Sequence, residues 1–470
     1  MDVPAFVCRA LEVLQKDGHQ AWLVGGSLRD FWLGLKPKDW DIATSAPTQR
    51  VMALFDRAVP SGLAFGTVTV LLEGRPLEIT TFRREKSYTS RRKPAEIEFG
   101  VSLEEDLSRR DFTVNALAYD PIKKQWVDPY RVIPGLAAKK LEIKAVGNAG
   151  ERFEEDPLRM LRAFYLMSRA GAAGAEILWD AATLKAITAG RHRILRVSGE
   201  RIRDELTKIL LGPNPDECLN KMQEAGLLEV VLPEVSRNKG VFQGNRYYRL
   251  EVFAHILQTV RIIKPVPALR WAALLHDIGK YACRVEEGEA VHFYGHETLS
   301  TFLTRDVLKR LRFSNEFQDR VLRLITHHMF SYPATDAGVR RFLRRVGPDL
   351  MEDLLELRRA DILATSAEAS TAELDRFRRR LVEIQNQKPA FGLKDLAVNG
   401  YDIMEHLGIG PGPLVGRALH YLLERVLEDP SLNNREALLA EVKKWGSGTA
   451  RPGAGAEEKQ KGRVLRDPTP

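Results

Sequence analysis

The sequence predicts an α/β head followed by a long all-α stretch divided into neck, body and tail. Three observations carry that expectation. An alternating, β-branched run, TVTVLLEG (67–74), precedes LEITTF (77–82), the pattern of paired strands joined by a turn at GRP. From about residue 150 the pattern changes, and segments such as EEDPLRMLRAFYLMSRAG (154–171) place apolar residues at helical spacing. The length, 470 residues, exceeds what one core ordinarily serves and suits about three domains.

The first 18 residues, MDVPAFVCRALEVLQKDG, read as an amphipathic helix and lack the basic region and apolar core of a signal peptide. Strands and turns then fill a head over 1–147, and a helical neck spans 148–213 up to the break LLGPNPDE. A histidine-rich helical body follows over 214–380, ended by the Pro and Gly of EIQNQKPAFGLKDL. A helical tail domain covers 381–446, and 447–470, rich in Gly, Pro and charge, is expected to be disordered. Hydrophobic residues at 44% and charged residues at 29% are those of a globular chain, and no apolar run approaches the roughly 20 residues of a membrane span. Cys8, Cys218 and Cys283 lie too far apart for a disulfide framework or a cysteine zinc site, so a cytoplasmic location is expected. The net charge of +8 suits a polyanionic partner.

The densest chemistry lies in LVGGSLRDFWLGLKPKDWDIATS (23–45). If Asp39 to Thr44 is one strand, Asp39 and Asp41 point to the same face, and two carboxylates so close call for a cation such as Mg²⁺. A solvated Asp-x-Asp turn is the plainer alternative. Gly25 and Gly26 follow an apolar strand and open a helix, where backbone N–H groups favour phosphate. Arg29, in the first turn, either adds a charge-assisted phosphate contact or holds Asp30. Glu78, on a neighbouring strand, is a candidate third carboxylate, as ligand or base.

Further on, RRDFTVNA gives Arg109, Arg110, Asp111 and Asn115, suited to a triphosphate or ribose but also to a surface ion-pair cluster. In EEDPLRMLRA, Pro157 starts a helix on which Asp156 and Arg159, three apart, share a face. A carboxylate only accepts and a guanidinium only donates hydrogen bonds. Cytosine and adenine both present an amino donor beside a ring-nitrogen acceptor, so such a pair admits C or A and leaves U or G with unmatched polar groups.

In this order the motifs LVGGSLRDFWLG…KDWDIATSA, LEEDLSRRDFTVNALAYDP and RFEEDPLRMLRAFYLMSR resemble those of the class II nucleotidyltransferases, the bacterial CCA-adding tRNA nucleotidyltransferases and their poly(A) polymerase relatives. The match covers roughly 20–215, with a weaker likeness to about 445. The resemblance implies a polymerase-β-like nucleotidyltransferase head that adds C and A, from CTP and ATP, to tRNA 3′ ends with Mg²⁺. Asp39 and Asp41 would then be catalytic carboxylates. Arg110, Asp111 and Asn115 would contact sugar and phosphates, Asp156 and Arg159 would select the base, and Arg162 would add a phosphate or ribose contact. VSGERIRDEL (197–206) resembles the last neck motif, with Arg201 as buried support, and the tail would grip tRNA. One departure stands out: family members often carry an Asp in the loop that here reads YTSRRKP, and Ser90 takes its place. That loop is linked to switching from C to A addition, so a poly(A) polymerase or an enzyme adding only part of CCA stays open.

The body carries a second constellation. His276 and Asp277 of LLHDIGK, with His255 and Asp361, resemble the four ligands of the HD phosphohydrolase superfamily, which imply a second divalent metal: Mn, Ni, Fe, Zn or Mg. His296, His327 and His328 fall where binuclear members carry extra ligands, and six of the ten histidines lie between 255 and 328. A different reading of the whole chain follows: an HD metal phosphohydrolase whose head binds RNA.

Overall fold

The computed structural model describes residues 1–448 apart from 38, 89–93, 245–250, 289, 367, 388–389 and 447. Ser90 and the residues from 449 onward lie outside the described residues. The chain forms two compact units: 1–328 with 356–369, and 329–355 with the residues from 370 onward. The sequence reading draws its boundary at 380, whereas the structure groups 329–355 with the last helices.

In the first unit, the amphipathic Ala5–Lys16 helix buries Phe6, Val7, Ala10, Leu11 and Leu14, positions repeating every three or four residues. Behind it lies a seven-stranded sheet in the order Ala58–Gly62, Thr67–Leu72, Arg75–Thr81, Asp41–Thr44, Ala21–Val24, Ala118–Asp120, Gln125–Val127. The expected hairpin forms, with Leu72 opposite Arg75. Its turn residues are Glu73 (φ 53°) and Gly74 (φ 74°), so the turn precedes Arg75-Pro76 and both its centres are left-handed, as the strand twist demands. The Asp41–Thr44 strand runs antiparallel to Ala21–Val24 and parallel to Arg75–Thr81. Fully buried Leu23, Ile42, Val68 and Ile79 fix which faces point inward.

The neck helices Leu158–Ala172 and Gly199–Leu210 pack together, and Trp271 Nε1 of the body donates to Thr207 Oγ1 at 3.1 Å. In the body, helices Val252–Ile262, Pro267–Leu275, His296–Arg310 and Asn315–His327 surround a polar centre completed by Asp361. The second unit packs Ile403, Leu422, Leu423, Val426, Leu427, Leu438 and Val442 into its own core. Its Arg340 donates to the carbonyls of Leu427 (2.6 Å) and Glu428 (2.8 Å), capping the end of the Pro413–Glu428 helix. No helix among the described residues is long and apolar enough to cross a membrane.

Candidate active site

Strand register assembles the head's carboxylates. Val24 lies opposite Asp41, so Gly25, the next residue, lies beside that carboxylate. Gly25 has φ +83°, and a Cβ there would sit 3.3 Å from Arg110 Nη1 and 3.5 Å from Asp41 Oδ2. Only glycine serves both the conformation and the close approach. On the other side Asp41 is in register with Glu78 across the parallel pair, which puts both side chains on one face. The strand begins at Asp41, so Asp39 and Trp40 precede it, and strand alternation does not place Asp39 as expected. The Asp41 carboxyl is pushed up to about 6, first by burial, against the nearby Arg110, with Glu78 and Asp39 pushing further and Arg162 opposing. Such an excess of negative charge around a half-buried carboxylate fits a bound cation.

The arginines divide between open and committed. Arg29 is 4% exposed. It donates to Asp30 Oδ1 at 2.9 and 2.7 Å and to Asn115 Oδ1 at 2.6 Å. Of the two roles left open for Arg29, holding Asp30 is the one these bonds fulfil. Arg110 reaches Asp106 Oδ2 at 3.3 Å, and Arg109 binds Asp106 Oδ1 at 2.9 and 2.7 Å. Asp106 is fully buried; burial would raise its carboxyl, but Arg110 and Arg109 hold it below the usual range. The sequence reading did not single it out, although it lies three and four residues before the two arginines that follow its short helix. Asp111, also buried, accepts from Phe112 N (2.8 Å) and Asn115 Nδ2 (3.0 Å) and pairs with Arg162 at 3.0 Å. Burial opposes its ionisation, but Arg162, Asn115 and Arg159 keep its carboxyl low.

Asp156 and Arg159 flank a chain corner rather than sharing one helix face. Asp156 ends the Ala149–Glu155 helix, and Pro157 opens the next. Asp156 accepts from Leu158 N at 3.2 Å and from Arg201 at 2.8 Å, and Arg201 is half-exposed rather than buried. Arg159, 8% exposed, donates to Glu155 Oε2 (2.6 Å), Arg152 O (3.1 Å) and Arg109 O (3.2 Å). The two side chains are thus held by different neighbours, and Arg159 is tied to the Arg-Arg-Asp segment. A cavity of about 280 Å³ is lined by Arg29, Asn115, Arg162, Tyr165, Glu205 and Lys208, without Asp156 or Arg159.

The body's polar centre is more enclosed. His255, His276, His296, His328, Asp277 and Asp361 are each at most 6% exposed. Every one of these rings has Nδ1 on a backbone carbonyl: Ala364 (3.3 Å), Ala273 (2.8 Å), Phe293 (2.7 Å) and Ile325 (2.7 Å) respectively. Each Nδ1 therefore donates to a carbonyl and each Nε2 faces inward, the orientation typical of metal-ligating imidazoles. Asp277 lies between them. Its Oδ2 is 3.3 and 3.2 Å from His255 and His276 Nε2 and 2.7 Å from Lys280 Nζ. Its Oδ1 is 3.4 and 3.8 Å from His296 and His328 Nε2. Asp361 Oδ1 lies 3.1 Å from His255 Nε2 and 3.7 Å from His276 Nε2. The buried Nε2 atoms of His296 and His328 have no hydrogen-bond partner among the described residues, which fits an ion as the missing one. Burial would lower His276, but Asp277 and Asp361 push it up to about 10; burial and the His276 charge push His328 down to about 3. His327 belongs to neither ligand group found among the described residues. Adjacent helical residues point about 100° apart, so His327 and His328 do not face one centre.

Known protein families match the head and the later helices. Residues 21–142 match the Poly A polymerase head domain family, and 298–442 match tRNA nucleotidyltransferase domain 2. The CCA-adding enzyme of Bacillus cytotoxicus is 32% identical over 429 residues, 91% of this chain and 95% of that one. The CCA-adding enzyme of Anoxybacillus flavithermus is 41% identical over 229 residues, 49% of this chain and 55% of the relative. Among solved structures, the Bacillus stearothermophilus CCA-adding enzyme in complex with CTP aligns with a TM-score of 0.71 and 27% identity, covering 96% of this chain and 99% of that one. The Thermotoga maritima CCA-adding enzyme complexed with tRNA shares the fold at a TM-score of 0.54 and 19% identity, over 94% of this chain and 96% of that one. The chain belongs to the CCA-adding enzymes of the class II tRNA nucleotidyltransferase family.

Proposed function

We propose that this chain adds C and A, from CTP and ATP, to the 3′ ends of tRNA. The observation that carries the reading is the in-register pair Asp41 and Glu78, beside Asp39 and against Gly25 and Arg110. Asp39 and Asp41 would hold Mg²⁺, with Glu78 as third ligand or base. When bound, Mg²⁺ supplies Lewis acidity at the primer hydroxyl and neutralises triphosphate charge. The bare backbone at Gly25 and Gly26 lets a triphosphate approach, and Arg110, steadied by Asp106, presents positive charge beside Asp41. Asp111, Asn115 and Arg162 form a pre-set edge for ribose and phosphate. Asp156 offers an acceptor and Arg159 donors to the incoming base, so C and A are satisfied and U and G are not.

The test offers tRNA ending in no, one or two C residues with CTP and ATP separately. Addition of C to the first two and one A to the third is expected. Runs of A would mean a poly(A) polymerase, and failure at one step a partial enzyme. Activity retained by Asp39→Ala or Asp41→Ala would sink the assignment.

The buried histidine cluster favours a second activity in the same chain. His255, His276, Asp277 and Asp361, with His296 and His328 beside them, would hold a divalent ion such as Mn²⁺, Ni²⁺, Fe²⁺, Zn²⁺ or Mg²⁺ in an HD-type centre that hydrolyses phosphoester ends of RNA. The check is release of phosphate from an RNA oligonucleotide with a 3′-terminal phosphoester, with each metal in turn, against Asp277→Asn. Equal turnover by that variant would remove the second reading.

A further inference from the structure

Six side chains form a closed chain of contacts that starts and ends on the helix bearing Arg159. From Arg169, Nη2 binds Asp30 Oδ2 at 2.6 Å, and Asp30 Oδ1 takes Arg29 at 2.9 and 2.7 Å. Arg29 Nη1 then reaches Asn115 Oδ1 at 2.6 Å, and Asn115 Nδ2 reaches Asp111 Oδ1 at 3.0 Å. Asp111 Oδ2 returns to Arg162 at 3.0 Å. Arg162 and Arg169 are seven residues apart on the Leu158–Ala172 helix, two turns along the same face. The head thus grips this helix at two points with alternating charges. Asp30 and Arg29 are 6% and 4% exposed, and the Arg169 side chain 12%. Nothing in the nucleotide reading uses Asp30 or Arg169, and 139 residues separate them in sequence.

The other end of the clasp is the reacting centre. Arg29 and Asp30 sit on the helix that Gly25 opens, and Gly25 abuts Asp41. Base choice by unmatched polar groups works only when the selecting side chains cannot shift to meet a wrong base, since small displacements far from the chemistry change rates by large factors. We propose that Asp30 and Arg169 are positioning residues for base selection, clasping the helix of Arg159 to the turn that faces Asp41. This rests on the reading in which Asp156 and Arg159 choose the base.

Asp30→Asn is nearly isosteric but turns an amide N–H toward one of two guanidinium groups, which opens the clasp without emptying space. The experiment measures kcat and KM for CTP, ATP, UTP and GTP on tRNA lacking CCA, in Asp30→Asn, Arg169→Gln, the double variant and Arg159→Ala. The CTP/UTP ratio of kcat/KM should fall about tenfold in each single clasp variant and no further in the double than in Asp30→Asn, with tRNA affinity unchanged, because both open the Asp30–Arg169 contact. Equal losses for all four nucleotides, with the ratio intact, would overturn the proposal and leave a purely structural contact. An unchanged ratio in Arg159→Ala would instead overturn the base-selection reading beneath it. Should Asp30→Asn fail to fold, Arg169→Gln decides: it removes the charged Nη2 contact to Asp30, and an unchanged ratio there refutes the clasp.

Discussion

Asp41→Asn separates the chemical role of this carboxylate from its effect on stability, because the two change in opposite directions. The Asp41 carboxyl is raised from 3.8 to about 6, chiefly by burial, with Arg110 opposing and Glu78 and Asp39 adding. A raised acid means that the folded chain binds this proton more tightly than the unfolded chain does. Stability therefore falls as pH rises from about 4 to 6, and the full loss, about 3 kcal/mol, is present above that window. Asparagine carries no such cost. In a chelator at pH 7.5, Asp41→Asn should exceed the wild type in stability by up to about 3 kcal/mol, and at pH 5 by about half of that. Calorimetry or denaturant unfolding at both pH values reads the difference, and added Mg²⁺ should stabilise the wild type more than the variant. Nucleotide addition should drop by about 10³-fold or more. A variant no more stable than wild type at pH 7.5, a difference independent of pH, or retained addition would refute the reasoning.

Gly25→Ala places a Cβ at φ +83° within 3.3 Å of Arg110; a loss of about 1–2 kcal/mol in unfolding free energy and a steep loss of addition rate in single turnover are expected. His276→Ala should abolish tightly bound divalent metal by elemental analysis of the purified protein, while C addition to tRNA persists, because the two centres share no residue. Arg340→Ala removes a buried guanidinium from the Leu427 and Glu428 carbonyls. It should destabilise the second unit by about 1–3 kcal/mol, read as earlier protease cleavage there, with the chemistry in the head unchanged.

Local pattern made the hairpin, the amphipathic first helix and the long neck helices legible, since each depends on residues within a few positions. The carboxylate site was legible for the same reason: Gly25 and Asp41 are brought together by one short antiparallel pair, and Glu78 by its neighbour. What the sequence hid depends on which partner a charged group takes. Arg29 reads equally as a phosphate contact or a partner of Asp30 until Asp30 and Asn115 are seen to take its guanidinium. Asp106 looks like one more acidic residue on a helix until it is seen buried, accepting from Arg109, Arg110 and Arg83 N. Asp39 lies near enough for its charge to raise Asp41, but the strand starts only at Asp41, so alternation through Trp40 is not what brings it there. His327 and His328 are indistinguishable by composition, and only the direction each side chain leaves the helix decides which one joins Asp277.

The two candidate metal centres differ in a way that bears on how each would work. In the head the donors are carboxylate oxygens, with Asp39 and Glu78 exposed. Oxygen donors and open access suit a hard cation that arrives with a triphosphate and departs with pyrophosphate. In the body four imidazoles are locked by their Nδ1 contacts before any ion binds, and all are nearly inaccessible. Nitrogen donors in a closed, pre-set shell suit a borderline ion that stays with the protein. Asp277, with one oxygen toward His255 and His276 and the other toward His296 and His328, also offers the body two adjoining ligand groups. Asp41 in the head shares its surroundings with two other carboxylates and two arginines instead. Exchange of the ion at each turnover is therefore compatible with the head, and retention of the ion through folding is compatible with the body.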